Sequence, residues 1–97
     1  MPKGYWIAHN VVTDAEAYRA YQAANGPIFA EYGARFLVRG GPQENPEGTW
    51  NDRTVVIEFP SYADAQACYH SDAYQAAKAL RDPVSQGNLV IVEGYAG

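Results

Sequence analysis

Arg39 and Arg81 are the side chains of this sequence best equipped to hold a ligand. A planar guanidinium takes a carboxylate through two parallel hydrogen bonds. Tyrosine and tryptophan nearby would sandwich an aromatic or apolar body, so a small organic acid or a phenolic metabolite suits such a site. Arg81 also has a plainer explanation, because a cation is favoured at a helix C-terminus. His9 offers an imidazole that works as acid or base near neutral pH. Equally, it reads as a satisfied histidine at a strand end. His70, Ser71 and Asp72 share the composition of a nucleophilic triad. Their adjacency points the side chains apart, and Ser71 with Asp72 reads better as the start of a helix.

Metal and cofactor chemistry has little to stand on. Two histidines and one cysteine, without clustered ligand spacing, give no structural metal site. A haem could take one histidine, but nothing else supports it. Gly40-Gly41 leads into a loop rather than a helix N-terminus, so it is no phosphate cradle. No cofactor is expected, and Cys68 reads as a small buried helix residue.

The elements that must position these groups follow from period and punctuation. Gly4 to Asn10 reads as a first strand. Thr13 or Asp14 caps a helix, with Glu16 in its first turn where the helix dipole favours an anion. Tyr18, Tyr21, Phe29 and Tyr32 continue a helical pattern. Asn25-Gly26-Pro27 interrupts it as a kink or restart, and Gly33 is the left-handed residue past its end. Arg35 to Arg39 is the second strand, Gly41 to Asp52 a loop, and Arg53 to Phe59 the third strand. Ser61 caps a helix with Asp64 three residues on, a variant capping box. Ser71 caps a second helical segment over Asp72 to Arg81, ended by Asp82-Pro83. Leu89 to Glu93 is the last strand.

The order β-α-β-β-α-β is the ferredoxin-like split βαβ pattern, an α+β fold. Right-handed crossovers put the helices on one face of a four-stranded antiparallel sheet. The other face is left bare and normally finds a partner. Two such sheets packed face to face make a dimeric α/β barrel. In the third strand, Val55, Ile57 and Phe59 form an apolar face, opposite Thr54, Val56 and Glu58. In the second, Phe36 and Val38 oppose Arg35, Leu37 and Arg39. Turning the apolar faces toward the helices puts Arg35, Arg39, Thr54 and Glu58 together on the second, mixed face, with Arg35 across from Glu58. Such a cross-strand pair is worth roughly 0.2–1 kcal/mol.

Composition bounds the function. Ninety-seven residues make one domain, residues 1–97, with a modest core. The chain is 47% hydrophobic and 19% charged, a globular balance, and carries eight tyrosines. Its net charge is −4 and it has no basic run, which argues against nucleic acid or an acidic membrane as partner. The single cysteine rules out an internal disulfide and fits a reducing cytoplasm. The N-terminus lacks the shape of a signal peptide, and the apolar runs are too short to span a bilayer. A cytoplasmic protein is the expectation.

The run Arg35-Phe-Leu-Val-Arg-Gly-Gly41, Trp50, Arg53, Glu58-Phe-Pro-Ser61, Ser71-x-x-Tyr74-Gln75 and Leu80-Arg81 resembles the domain of unknown function 1330 family. The opening Tyr-Trp-Ile-Ala, Val12-Thr-Asp and the closing Val90-Ile-Val-Glu-Gly94 are similar as well, so the resemblance spans essentially the whole chain. It implies a ferredoxin-like subunit of the dimeric α/β barrel superfamily, which includes cofactor-independent monooxygenases, muconolactone isomerase-like enzymes and haem-binding dismutases. It also implies a pocket between sheet and helices. Arg39, Trp50, Ser71, Tyr74 and Arg81 match the family's polar and aromatic pattern and are the expected lining. His9 lies outside that pattern.

Three functions fit this reading. The first is a homodimer that binds a small acidic or aromatic molecule between sheet and helices. The second is a cofactor-free oxygenase or isomerase in which Tyr74 or His9 moves a proton while Arg39 anchors negative charge. The third is a dimeric interaction protein, for which Tyr18, Tyr21, Phe29 and Tyr69 would fill the space.

Overall fold

Alternating apolar residues carry the sheet, and their register fixes which side chains meet the helices. The computed structural model describes residues 2–97; Met1, where the expected domain begins, lies outside them. Strands β1 (Gly4–Val12), β2 (Arg35–Arg39), β3 (Arg53–Phe59) and β4 (Ser85–Glu93) form one sheet in the order β2-β3-β1-β4. All three pairings are antiparallel. Helices α1 (Ala15–Glu31), α2 (Tyr62–His70) and α3 (Asp72–Arg81) complete a β-α-β-β-α-α-β chain. This is the expected ferredoxin-like α+β fold. The slab is only 17 Å in its thinnest dimension, which is one sheet and one helical layer.

Local signals set the helix limits. Asp14 caps α1 by accepting from the Ala17 N–H, and Ser61 caps α2 by accepting from Asp64. Ser71 sits between α2 and α3. Its Oγ accepts from the Tyr74 N–H and donates to the Cys68 carbonyl, so one hydroxyl ends one helix and starts the next. At the end of α1, Gly33 has φ +69°, the Gly33 N–H reaches the Ala30 carbonyl, and the Ala34 N–H reaches the Phe29 carbonyl. This is the two-bond Schellman closure. Helix α1 runs unbroken through Pro27, contrary to the expected interruption. Proline removes one backbone bond, while Tyr21, Asn25 and Phe29 hold both sides of it in the core.

Three strands differ from their expected form, β1 by running on past Asn10 to Val12. Strand β4 begins at Ser85, four residues early, because Asp82–Val84 is one tight 3-10 turn and the chain is extended directly after it. Gly87 makes that extension possible, since a Cβ there would run into the His9 carbonyl oxygen and the Asn10 Cα on β1. In β2, pairing with β3 slips between Phe36 and Val38. One extra residue in a strand inverts the alternation beyond it. Val38 therefore pairs with Val56 on the bare face, and Arg39 pairs with Val55 on the helix face. The expected placement of Val38 toward the helices, and of Arg39 on the mixed face, is corrected by this bulge.

The core fills the space between the layers. Trp6, Ile57 and Phe59 from the sheet meet Tyr18, Tyr21 and Phe29 from α1, and Ala65, Cys68, Tyr74 and Ala77 from α2 and α3. Trp6 is the hub. Its ring packs edge-on against Phe29 and Tyr74, and its indole N–H donates to the Ala65 carbonyl at 2.9 Å. A large amphipathic ring is thus buried with its polar atom satisfied. On the opposite face, Arg35 pairs with Glu58 at 3.0 Å as the register requires, and Tyr5 donates to the other Glu58 oxygen at 3.0 Å.

Candidate functional site

A cleft opens between the sheet and α1, where the tyrosines and phenylalanines of the core leave a gap. Its cavity is about 50 Å³. At roughly 10–15 Å³ for each water-sized group, that holds three to five heavy atoms. Tyr18, Tyr21 and Phe29 nearly fill the layer, as an interaction protein would require, but they do not close it.

Three arginines line this cleft: Arg39 from β2, Arg53 from β3 and Arg81 from the end of α3. Each guanidinium lies over an aromatic ring. Arg39 is 4.2 Å from the Phe36 centroid, Arg53 is 5.6 Å from Tyr18, and Arg81 is 5.7 Å from Tyr21. Ring faces are electron-rich and steady the cations without neutralising them. Among the described residues, no aspartate or glutamate lines the cleft. Arg81 alone of the three touches a carboxylate, Asp82 at 3.5 Å, while among the described residues Arg39 and Arg53 make no ion pair. In a chain of net charge −4, this is a local excess of positive charge.

Hydroxyls and amides stand behind the arginines. The Tyr18 hydroxyl accepts from Arg53 Nη1 at 3.5 Å and from Asn10 Nδ2 at 3.4 Å. The Tyr21 and Tyr74 hydroxyls lie 2.7 Å apart, and Arg81 Nη1 donates to Tyr74 at 3.3 Å. Burial pushes the Tyr21 and Tyr74 phenols up, so both stay protonated. Burial opposes the charge of Arg81, and the Asp82 carboxylate favours it. The arrangement offers several donors to an anion, and its phenols act as hydrogen-bonding groups rather than as bases.

The expected lining residues divide between two faces. Arg39 and Arg81 meet in the cleft, and Tyr74 lies just beneath it through its bond to Tyr21. Ser71 is occupied as the cap between α2 and α3. Trp50 and His9 lie on the opposite face of the sheet. There the β2–β3 loop folds back, and the Trp50 ring stacks on His9 at 3.7 Å. The indole N–H donates to Thr54 Oγ1, and His9 Nδ1 accepts the Asn51 backbone N–H at 3.1 Å. That bond leaves the proton of a neutral imidazole on Nε2. Cys68 is buried and unbonded to another cysteine, its thiol pushed up to about 12 by burial and by Glu31. It is inert at neutral pH. Among the described residues, no group of three or more metal-ligating side chains converges.

Sequence reasoning missed Arg53, Asn10 and Asn25 as cleft residues, and placed Tyr18 there only as filling. The signal was present. Arg53 stands two residues before Val55 and so shares its face, and Asn10 stands two after Ala8. Asn25 falls four residues from both Tyr21 and Phe29, on the buried stripe of α1.

Comparison with known proteins adds the family and the fold. A family described as Domain of unknown function (DUF1330) matches over residues 3–95. No curated protein matches. Among solved structures, a protein of unknown function from Rhodopseudomonas palustris is similar with a TM-score of 0.77 at 20% identity, over 99% of this chain and 85% of that one. SnoaB, a cofactor-independent oxygenase from Streptomyces nogalater, has a TM-score of 0.63 at 10% identity, over 100% and 97%. A dimeric protein of unknown function and ferredoxin-like fold from Bacteroides fragilis has a TM-score of 0.60 at 16% identity, over 94% and 95%. At these identities the likeness is one of fold.

Proposed function

The chain belongs to the DUF1330 family, and from that premise we propose that it is a homodimeric, single-domain binding protein whose sheet–helix cleft takes a small organic anion. One observation carries the reading: Arg39, Arg53 and Arg81 line the same cleft, and among the described residues no carboxylate side chain lines it with them. Three like charges gathered beside a partly desolvated space repel one another, and an anion relieves that repulsion. Arginine forks and phenol donors are the groups that hold a carboxylate. The protonated Tyr21 and Tyr74 phenols suit binding better than proton abstraction.

The other face of the sheet supports the homodimer. Leu37, Val38, Val90 and Val92 are 39–52% exposed on the bare sheet, an apolar surface that a second copy would cover. A neighbour of the same fold from Bacteroides fragilis is itself dimeric, which supports the reading. No helix among the described residues is long and apolar enough to cross a membrane, and a free buried Cys68 suits a reducing, cytoplasmic compartment.

The test is a calorimetric titration of the whole protein with short carboxylates such as acetate and propionate, repeated on Arg53→Gln. A saturable heat that weakens about tenfold or more in the variant is expected, the cost of one charged hydrogen-bonded contact. No saturable binding by the wild-type protein would end the anion reading.

A further inference from the structure

We infer that the anion held in the cleft is a hydroxylated carboxylate, one whose hydroxyl lies within a few atoms of its carboxyl group. This rests on the anion reading above and adds the second functional group. The observation is an orphaned polar atom. Asn25 is only 3% exposed, it lines the cleft, and its Oδ1 has no hydrogen-bond partner. Asn10, on the facing strand, lines the same cleft, and its Oδ1 is likewise buried and unpartnered. Buried amide oxygens are almost always bonded, and leaving one unpaired forfeits its whole hydration.

A plain carboxylate cannot satisfy these amide oxygens. It brings acceptors only, so it answers the arginines and leaves the asparagine oxygens as they are. An ammonium group would supply donors, but it would sit among three guanidinium charges. A neutral hydroxyl donates without adding charge. It also suits either orientation of an asparagine amide, because it accepts as readily as it donates. Room is limited to the same scale: a cavity of about 50 Å³ holds a carboxyl group and a hydroxyl-bearing carbon, and little more. Trp6, Phe29 and Ile57 give that carbon an apolar wall.

The experiment compares matched pairs by calorimetry on the whole protein at low salt: glycolate against acetate, which lacks the hydroxyl, and glycolate against propionate, which carries a methyl in its place. Glycine is the ammonium control. The hydroxy acid is expected to bind about 5- to 150-fold more tightly than its partner, the span for leaving one buried group unpaired. In Asn25→Leu, close in volume, the ratio of glycolate to acetate affinity falls to about one. Asn10→Ala repeats the test if Asn25→Leu fails to fold. Equal affinities within each wild-type pair would overturn the inference and leave the anion site standing, the amides then being met by water. Tighter binding of glycine than of glycolate would overturn it in favour of an amino acid. Failure of every carboxylate to bind would overturn the anion reading and this inference with it.

Discussion

The hydroxyl oxygens of Tyr21 and Tyr74 lie 2.7 Å apart in the core, and Arg81 donates to the Tyr74 oxygen at 3.3 Å. Tyr74 is fully buried, so its polar atom is tolerated only because it is paired. Removing it in Tyr74→Phe leaves Tyr21 and Arg81 each short of one partner. A loss of about 1–3 kcal/mol in urea unfolding is expected, with the fold retained. Burial raises both phenol pKa values above 10.0. A raised folded pKa gives stability that is complete below the unfolded value and lost as pH climbs through the folded one. The wild-type protein should therefore lose stability above about pH 10, and Tyr74→Phe should lose less with each unit of pH.

Glu58 gives the opposite dependence on the opposite face. The Tyr5 hydroxyl bond, then the bond to Arg35, holds its carboxyl below the ordinary value of 4.5. A depressed folded pKa gives stability present above the unfolded value and lost as pH falls through the folded one. The difference in melting temperature between wild type and Glu58→Gln should be largest near neutrality and shrink below about pH 4.5. A difference that stays constant from pH 7 to pH 3 would mean that the pair does not act through ionisation.

Much of this architecture was legible because local and long-range signals agree. Ser61 and Ser71 cap where their types say they should, Gly33 closes α1, and Arg35 meets Glu58 across the hairpin. The failures have physical causes. Strict alternation in β2 puts Arg39 on the bare face, but the slip between Phe36 and Val38 turns it into the cleft. A bulge leaves little trace in five residues that are apolar at alternate and consecutive positions alike. Trp50 sits in a loop, where no period applies, and its place over His9 depends on how that loop folds back. Asn25 looked like part of an interruption beside Gly26-Pro27, although its spacing from Tyr21 and Phe29 marked it as buried.

The bare face makes a prediction of its own. Val90 is 52% exposed on β4, beside Val92 and across from Ile7 of β1. If two sheets pack here, Val90→Glu sets a carboxylate in an apolar contact in both copies. Sedimentation velocity at micromolar concentration should give a dimer for the wild type and a monomer for the variant, with unchanged circular dichroism. A monomeric wild type would remove the dimer, while leaving the cleft unaffected.

The central claim is that Arg39, Arg53 and Arg81 form one anion site. The most direct test is a proton–nitrogen spectrum of the arginine Nε–H groups recorded during titration with glycolate. The chain has five arginines, so each can be followed. Saturable shifts at Arg39, Arg53 and Arg81, with Arg19 on the exposed side of α1 and Arg35 on Glu58 unmoved, are the predicted result. Uniform, unsaturable drift of all five, or a response centred on Arg35, would contradict it.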